Sequence, residues 1–115
     1  MIETLLKELK QDEVFKRYLR LERNYKDDNE RYKGENDSII LDLFCEYLAE
    51  STKPIFNNIY KYKNFFISFD IIYDEHDRRY NQVTDMTCYT KQKILEKLDK
   101  IKKRINNELH KTNKK

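Results

Sequence analysis

The chain has 115 residues, 39% of them charged and 38% hydrophobic, with a formal net charge of +3. A domain of this length buries roughly 65% of its unfolded surface, enough for one core but not two. The charged fraction is well above the ~25% of ordinary soluble domains, so that core is lean.

Ile, Leu, Val and Phe together make up 30 residues. That share clears the ~20% below which chains tend to stay disordered, and it excludes disorder as the main state. Gly and Pro occur once each and Trp never, a bias that AT-rich coding imposes on any fold, so missing glycines carry little weight. Cys45 and Cys88 lie far apart in apolar surroundings, which points to reduced thiols in a cytoplasmic protein rather than a disulfide framework. No leader is evident, and no apolar run approaches the ~18 residues of a membrane span, so the expectation is a soluble cytoplasmic protein without membrane partners.

Ile2, Leu5, Leu6 and Leu9 form a helical stripe, but Val14, Phe15, Tyr18 and Leu21 fall on nearly the opposite face, so the helix must break between them. Asp12 is the expected N-cap of the second helix, which the spacing of Val14, Tyr18, Leu21, Tyr25 and Tyr32 carries to Lys33, with Gly34 as its left-handed cap. After a polar segment, an Asp or Ser cap opens a third helix in which Ile40, Leu43, Phe44, Tyr47 and Leu48 share a face. It ends near Ser51, before Pro54.

The segment IFNNIYKYKNFFISFDIIY, residues 55–73, fits two templates. As a strand, Phe65, Ile67, Phe69, Ile71 and Tyr73 alternate. As a helix, Ile55, Ile59, Tyr62, Phe66, Phe69, Tyr73, His76, Tyr80 and Val83 recur at alternating spacings of 4 and 3. Asp74 to Arg78 and Glu75 to Arg79 add acid-to-base pairs at helical spacing. The longer match predicts one helix from Pro54 to Val83, with His76 buried in its stripe. The last helix carries Ile94, Leu98, Ile101, Ile105 and Leu109 on one face. The expected fold is therefore all-α, an antiparallel bundle around a long central helix over residues 1–110, with 111–115 as a frayed basic tail. The alternative is α+β, with residues 55–73 as a β-hairpin packed on helices.

Little in the chain suggests catalysis. Cys45, His76, Cys88 and His110 are not paired at zinc-site spacings, and successive Asp74, Glu75, His76 and Asp77 on a helix would point in different directions. There is no glycine-rich phosphate loop and no nucleophile elbow. Neither a metal nor a cofactor is expected, nor an enzyme.

Charge is more informative. Residues 91–115 carry ten Lys or Arg against three acids, a net of +7, leaving fourteen against eighteen, a net of −4, in residues 1–90. Lys93, Lys97, Lys100, Lys102, Lys103 and Arg104 are candidate contacts for nucleic acid or an acidic partner. Tyr25, Tyr32, Tyr60, Ile67 and Ile71 are candidate protein-interface residues, because the apolar arc of segment 55–73 is wider than one neighbouring helix can cover. The expected function is a small non-enzymatic binding protein that occupies a surface of a larger nucleic-acid-processing or defence protein. A viral, phage or mobile-element inhibitor of anti-CRISPR type belongs to this class. Alternatives are a direct nucleic-acid-binding regulator using the basic C-terminal helix, and a self-associating helical structural protein.

Overall fold

The computed structural model describes residues 1–26 and 36–113, with 109–113 as helical backbone only. Helix α1 (Ile2–Gln11) and helix α2 (Glu13–Tyr25) are separated at Asp12, where the backbone turns extended. The Asp12 carboxylate accepts the backbone N–H groups of Val14 and Phe15 at 3.0 and 3.1 Å, which are orphan donors of the new helix. This break lets Leu5 and Leu9 on α1 and Phe15 on α2 meet in one core despite their opposed phases. Helix α2 closes at Tyr25. The expected continuation to Lys33 and its Gly34 cap lie outside the described residues. Helix α3 (Asp37–Ser51) is capped by Asn36 rather than by the expected Asp or Ser, its side-chain oxygen accepting Ser38 N–H at 2.9 Å.

The expected helix from Pro54 to Val83 does not form. Its place is taken by strand β1 (Ile59–Tyr62), strand β2 (Phe65–Ile72), a 3-10 turn at Arg78–Tyr80 and strand β3 (Gln82–Tyr89). These strands make an antiparallel sheet in the order β1-β2-β3, so the all-α expectation gives way to a mixed α+β fold. Tyr62 pairs with Phe65 across a two-residue turn, in which Lys63 takes φ 51°, the left-handed geometry that tight hairpins require. Between β2 and β3 the register slips, Ser68 facing Thr87 and Asp70 facing Thr84, so that two residues oppose Phe69. Asp85 absorbs the extra residue as a bulge at φ 54°, a conformation Asp tolerates better than most side chains.

The sheet packs on both faces, one apolar and the other mixed. On one, Tyr60, Tyr62, Phe65, Ile67, Phe69, Ile71, Val83 and Cys88 pack with Leu5, Leu9, Phe15, Phe44, Cys45 and Leu48 from α1 to α3. Phe44 meets Phe15 edge-on at 5.5 Å and Tyr62 edge-on at 4.9 Å, while Tyr60 stacks on Phe69 at 4.9 Å. Pleating places Ile59, Phe66, Ser68 and Tyr89 on the opposite face, against which helix α4 (Lys91–Asn113) lies across β2. Cover on the opposite face accounts for Ile59 and Phe66, while Ile55, Ile72 and Tyr73 of the same segment stay exposed.

The stretch after β2 is a loop rather than a helix. Asp74 Oδ1 accepts the N–H groups of His76 and Asp77 at 2.9 and 3.0 Å, and Asp77 caps the 3-10 turn through Arg79 N–H at 3.0 Å. His76 is consequently exposed, not buried. The expected pairs Asp74–Arg78 and Glu75–Arg79 are replaced by Arg78–Glu22 at 2.7 Å and Arg79–Asp77 at 2.6 Å. No helix among the described residues is long and apolar enough to cross a membrane.

Candidate functional site

While Val14 and Leu21 on α2 and Ile55, Ile72 and Tyr73 in or beside the sheet are exposed, helix α4 combines exposed apolar side chains with the chain's most basic segment. Its 23 residues span about 35 Å at 1.5 Å per residue. Thr90 opens it, the side-chain oxygen accepting Lys93 N–H at 3.2 Å. Ile94 is buried, at 4% exposure, and Ile101, two turns on, is half-buried. The same stripe then leaves the body: Leu98 is 41% exposed and Ile105 54%, and Leu95 beside them is 57% exposed.

The basic residues divide by face. Lys93, Lys97, Lys100 and Arg104, at spacings of 4, 3 and 4, share one edge of the helix. Lys102 and Lys103 point elsewhere, with Lys103 held by Asp99 at 3.1 Å. Lys97 donates to the Tyr89 hydroxyl at 3.1 Å and lies 4.5 Å from the centre of that ring. The Tyr89 hydroxyl lies 3.2 Å from Ser68 Oγ, and Ser68 and Lys97 together hold the phenol below its usual pKa. Lys93 pairs loosely with Glu96 at 3.8 Å, and Lys100, Lys102 and Arg104 have no ion pair among the described residues. Lys97, Lys100 and Arg104 face a groove of about 260 Å³, whose other wall is the turn Phe56–Ile59.

The candidate interface residues are not brought together on a surface. Ile67 is fully buried, and Ile71 and Tyr60 are half-buried parts of the core. Tyr25 is 46% exposed, but the Arg78 guanidinium covers its ring at 3.9 Å. Tyr32 lies outside the described residues. The apolar excess that marked segment 55–73 as an interface is used in part by the two layers packed on the sheet, and in part stays exposed at Ile55, Ile72 and Tyr73. What sequence reasoning missed is Leu95, together with the exposure of Leu98 and Ile105. Leu95 lies off the stripe and was a readable signal, whereas Leu98 is exposed between buried Ile94 and half-buried Ile101, and Ile105 beyond the last of these.

The Asp74 and Asp77 carboxylates of the polar cluster at 74–77 are engaged by local N–H groups and by Arg79, and Glu75 and His76 beside them are exposed. Among the described residues no group of three or more His, Cys, Asp or Glu could hold a metal ion. Burial pushes the Cys45 thiol, and less strongly that of Cys88, above the usual range, which leaves both poor nucleophiles. Comparison of the chain with protein-family models, with curated proteins and with solved structures gives no match in any of the three.

Proposed function

We propose that the protein is a small binding module that occupies a surface of a larger protein, with α4 as the docking element. The observation that carries this reading is the apolar stripe that starts at buried Ile94 and continues into the open at Leu98 and Ile105. A helix presenting apolar side chains at spacings of 3 and 4 is suited to an apolar groove on a partner. The net charge of +7 over residues 91–115 requires that groove to have an acidic rim. A second copy of α4 is a poor occupant, since it would set +7 against +7. Phosphate-binding channels are themselves basic and would repel α4, so on a nucleic-acid-processing partner the docking surface lies away from the channel.

The test is a photoreactive amino acid at position 105, crosslinking in native cells, and measurement of binding with the purified crosslinked protein. The expected result is a partner that binds the wild-type chain and loses at least roughly ten-fold in affinity with Leu98→Glu plus Ile105→Glu, the cost of burying two charges at an apolar contact. Crosslinking only to a second copy, with dimers in light scattering, would assign the stripe to self-association instead. Crosslinking to nothing would remove the proposal.

A further inference from the structure

The groove between α4 and the Phe56–Ile59 turn lies on a different edge of α4 from Leu98 and Ile105, and protein docking does not use it. We infer that this groove binds single-stranded nucleic acid, with Lys97, Lys100 and Arg104 on the phosphates and Phe56 beneath a base.

Three features carry the assignment. The first is that its cations form a track. From Lys97 to Arg104 the groove's basic edge extends over seven residue steps, about 10 Å of helix, which suits successive charges of a polyanion better than one small anion. Lys100 and Arg104 have no competing carboxylate partner among the described residues, and the nearby acid Asp99 is turned to Lys103.

The second feature is that the facing wall is preformed. Ile59 N–H donates to the Phe56 carbonyl at 2.8 Å, and Ile55 N–H donates to the Ile59 carbonyl at 2.8 Å. Asn57 holds φ 47°, a left-handed conformation that Asn tolerates and that fixes the tight turn. Buried Ile59 anchors this turn to the sheet, so the wall need not be ordered on binding.

The third feature is the chemistry of that wall. Phe56 offers a half-buried ring, and Asn57 and Asn58 offer exposed amides that can both donate and accept. An aromatic face beside a positive track is how single strands are held with little sequence preference, because every base has a face to stack. At about 260 Å³ the groove is smaller than an ordinary small-molecule pocket of roughly 300–1,000 Å³, and it suits one nucleotide of a strand passing through. A duplex keeps its bases stacked inside and cannot use Phe56.

The experiment is fluorescence anisotropy of the full chain with a labelled single-stranded DNA 20-mer, its RNA equivalent and the matching duplex, across a salt series. Single strands are expected to bind at low salt and to weaken as salt rises. Lys100→Ala with Arg104→Ala should lower the log–log salt slope by about 1.4, from two phosphate contacts at ~0.7 each. Phe56→Ala should weaken single strands roughly ten-fold while leaving that slope unchanged. Lys102→Ala with Lys103→Ala, on other faces of the same helix, serves as the charge-matched control and should change little. Absence of binding at low salt, equal affinity for the duplex, or equal loss from both double variants would each overturn the inference. Because these variants leave Leu98 and Ile105 in place, the protein-docking proposal stands or falls separately.

Discussion

Lys26 is fully buried, its ammonium 3.2 Å from Glu46 Oε1 and 2.9 Å from the carbonyl of Arg78. It ties the end of α2 to α3 and to the loop before β3. Glu46 Oε2 has no hydrogen-bond partner among the described residues, and burial pushes this carboxyl above its usual range while the charge of Lys26 pulls it back. Such a pair contributes little net stability intact, but removing one member strands the other. Lys26→Met is therefore expected to cost about 3–5 kcal/mol, and Lys26→Met with Glu46→Leu to recover most of that, as read from urea midpoints. A single variant as stable as the wild type would show that the pair is not buried in solution. Asp12 behaves in the opposite sense. Burial alone would raise its pKa, but the Tyr62 hydroxyl, the Phe15 and Val14 N–H groups and Lys63 together hold it below the ordinary 3.8. A depressed carboxyl contributes stability that is present above its unfolded value and lost as pH falls through the folded one. Wild-type stability should thus drop more steeply than that of Asp12→Asn as pH falls from 3.8. Asn still caps a helix but does not titrate there, so parallel pH profiles would refute this account.

The hairpin shows why the strands were hard to read at the level of elements. A strand covered on one face alternates, and β2 departs from that: Phe65 and Phe66 are adjacent and both half-buried, and Ile71 is followed by Ile72, which is exposed. A run of this kind matches period 3.6 about as readily as period 2, and the loop that follows extended the helical match by chance through His76 and Tyr80. The signals that argued otherwise were local. Asp74 and Asp77 are turn residues whose carboxylates accept nearby N–H groups, and the residue types of 65–72 are strongly β-prone. The Asp12 break and the end of α3 before Pro54 were legible because each depends on one side chain and its immediate neighbours. The basic residues of α4 were legible as well, whereas their groove was not, since its other wall comes from residues forty positions earlier. The turn itself is improvable. Lys63 at φ 51° bears a left-handed penalty of roughly 1–2 kcal/mol, offset in part by its exposed bridge to Glu8 at 3.0 Å, worth at most about 1 kcal/mol. Lys63→Gly, which supplies positive φ at the first turn position without a Cβ and keeps Asn64 at the second, should raise stability by roughly 1 kcal/mol in urea unfolding, and a loss would mean that the Glu8 bridge outweighs the strain.

The whole molecule is elongated, with a radius of gyration of 17.6 Å against roughly 13 Å for an ordinary globular domain of this length. Helix α4 accounts for much of this, since among its described side chains only Ile94 is fully seated on the body. A helical segment of about a dozen residues is marginal in water on its own, so the half beyond Ile101 depends on whatever its apolar stripe touches. Amide hydrogen exchange on the free protein should consequently be slowest around Ile94 and become progressively faster past Ile105, because local opening there exposes little apolar surface. A partner docked on Leu98 and Ile105 should erase that gradient by protecting the distal half, while a strand in the Phe56 groove should protect the turn and the middle of α4 more than its end. Uniform slow exchange along α4 in the free protein would contradict this picture, because it would mean that the stripe is already covered, with a second copy as the available occupant. Repeating the measurement over a concentration series decides that case, since protection by a second copy fades on dilution and protection within one chain does not.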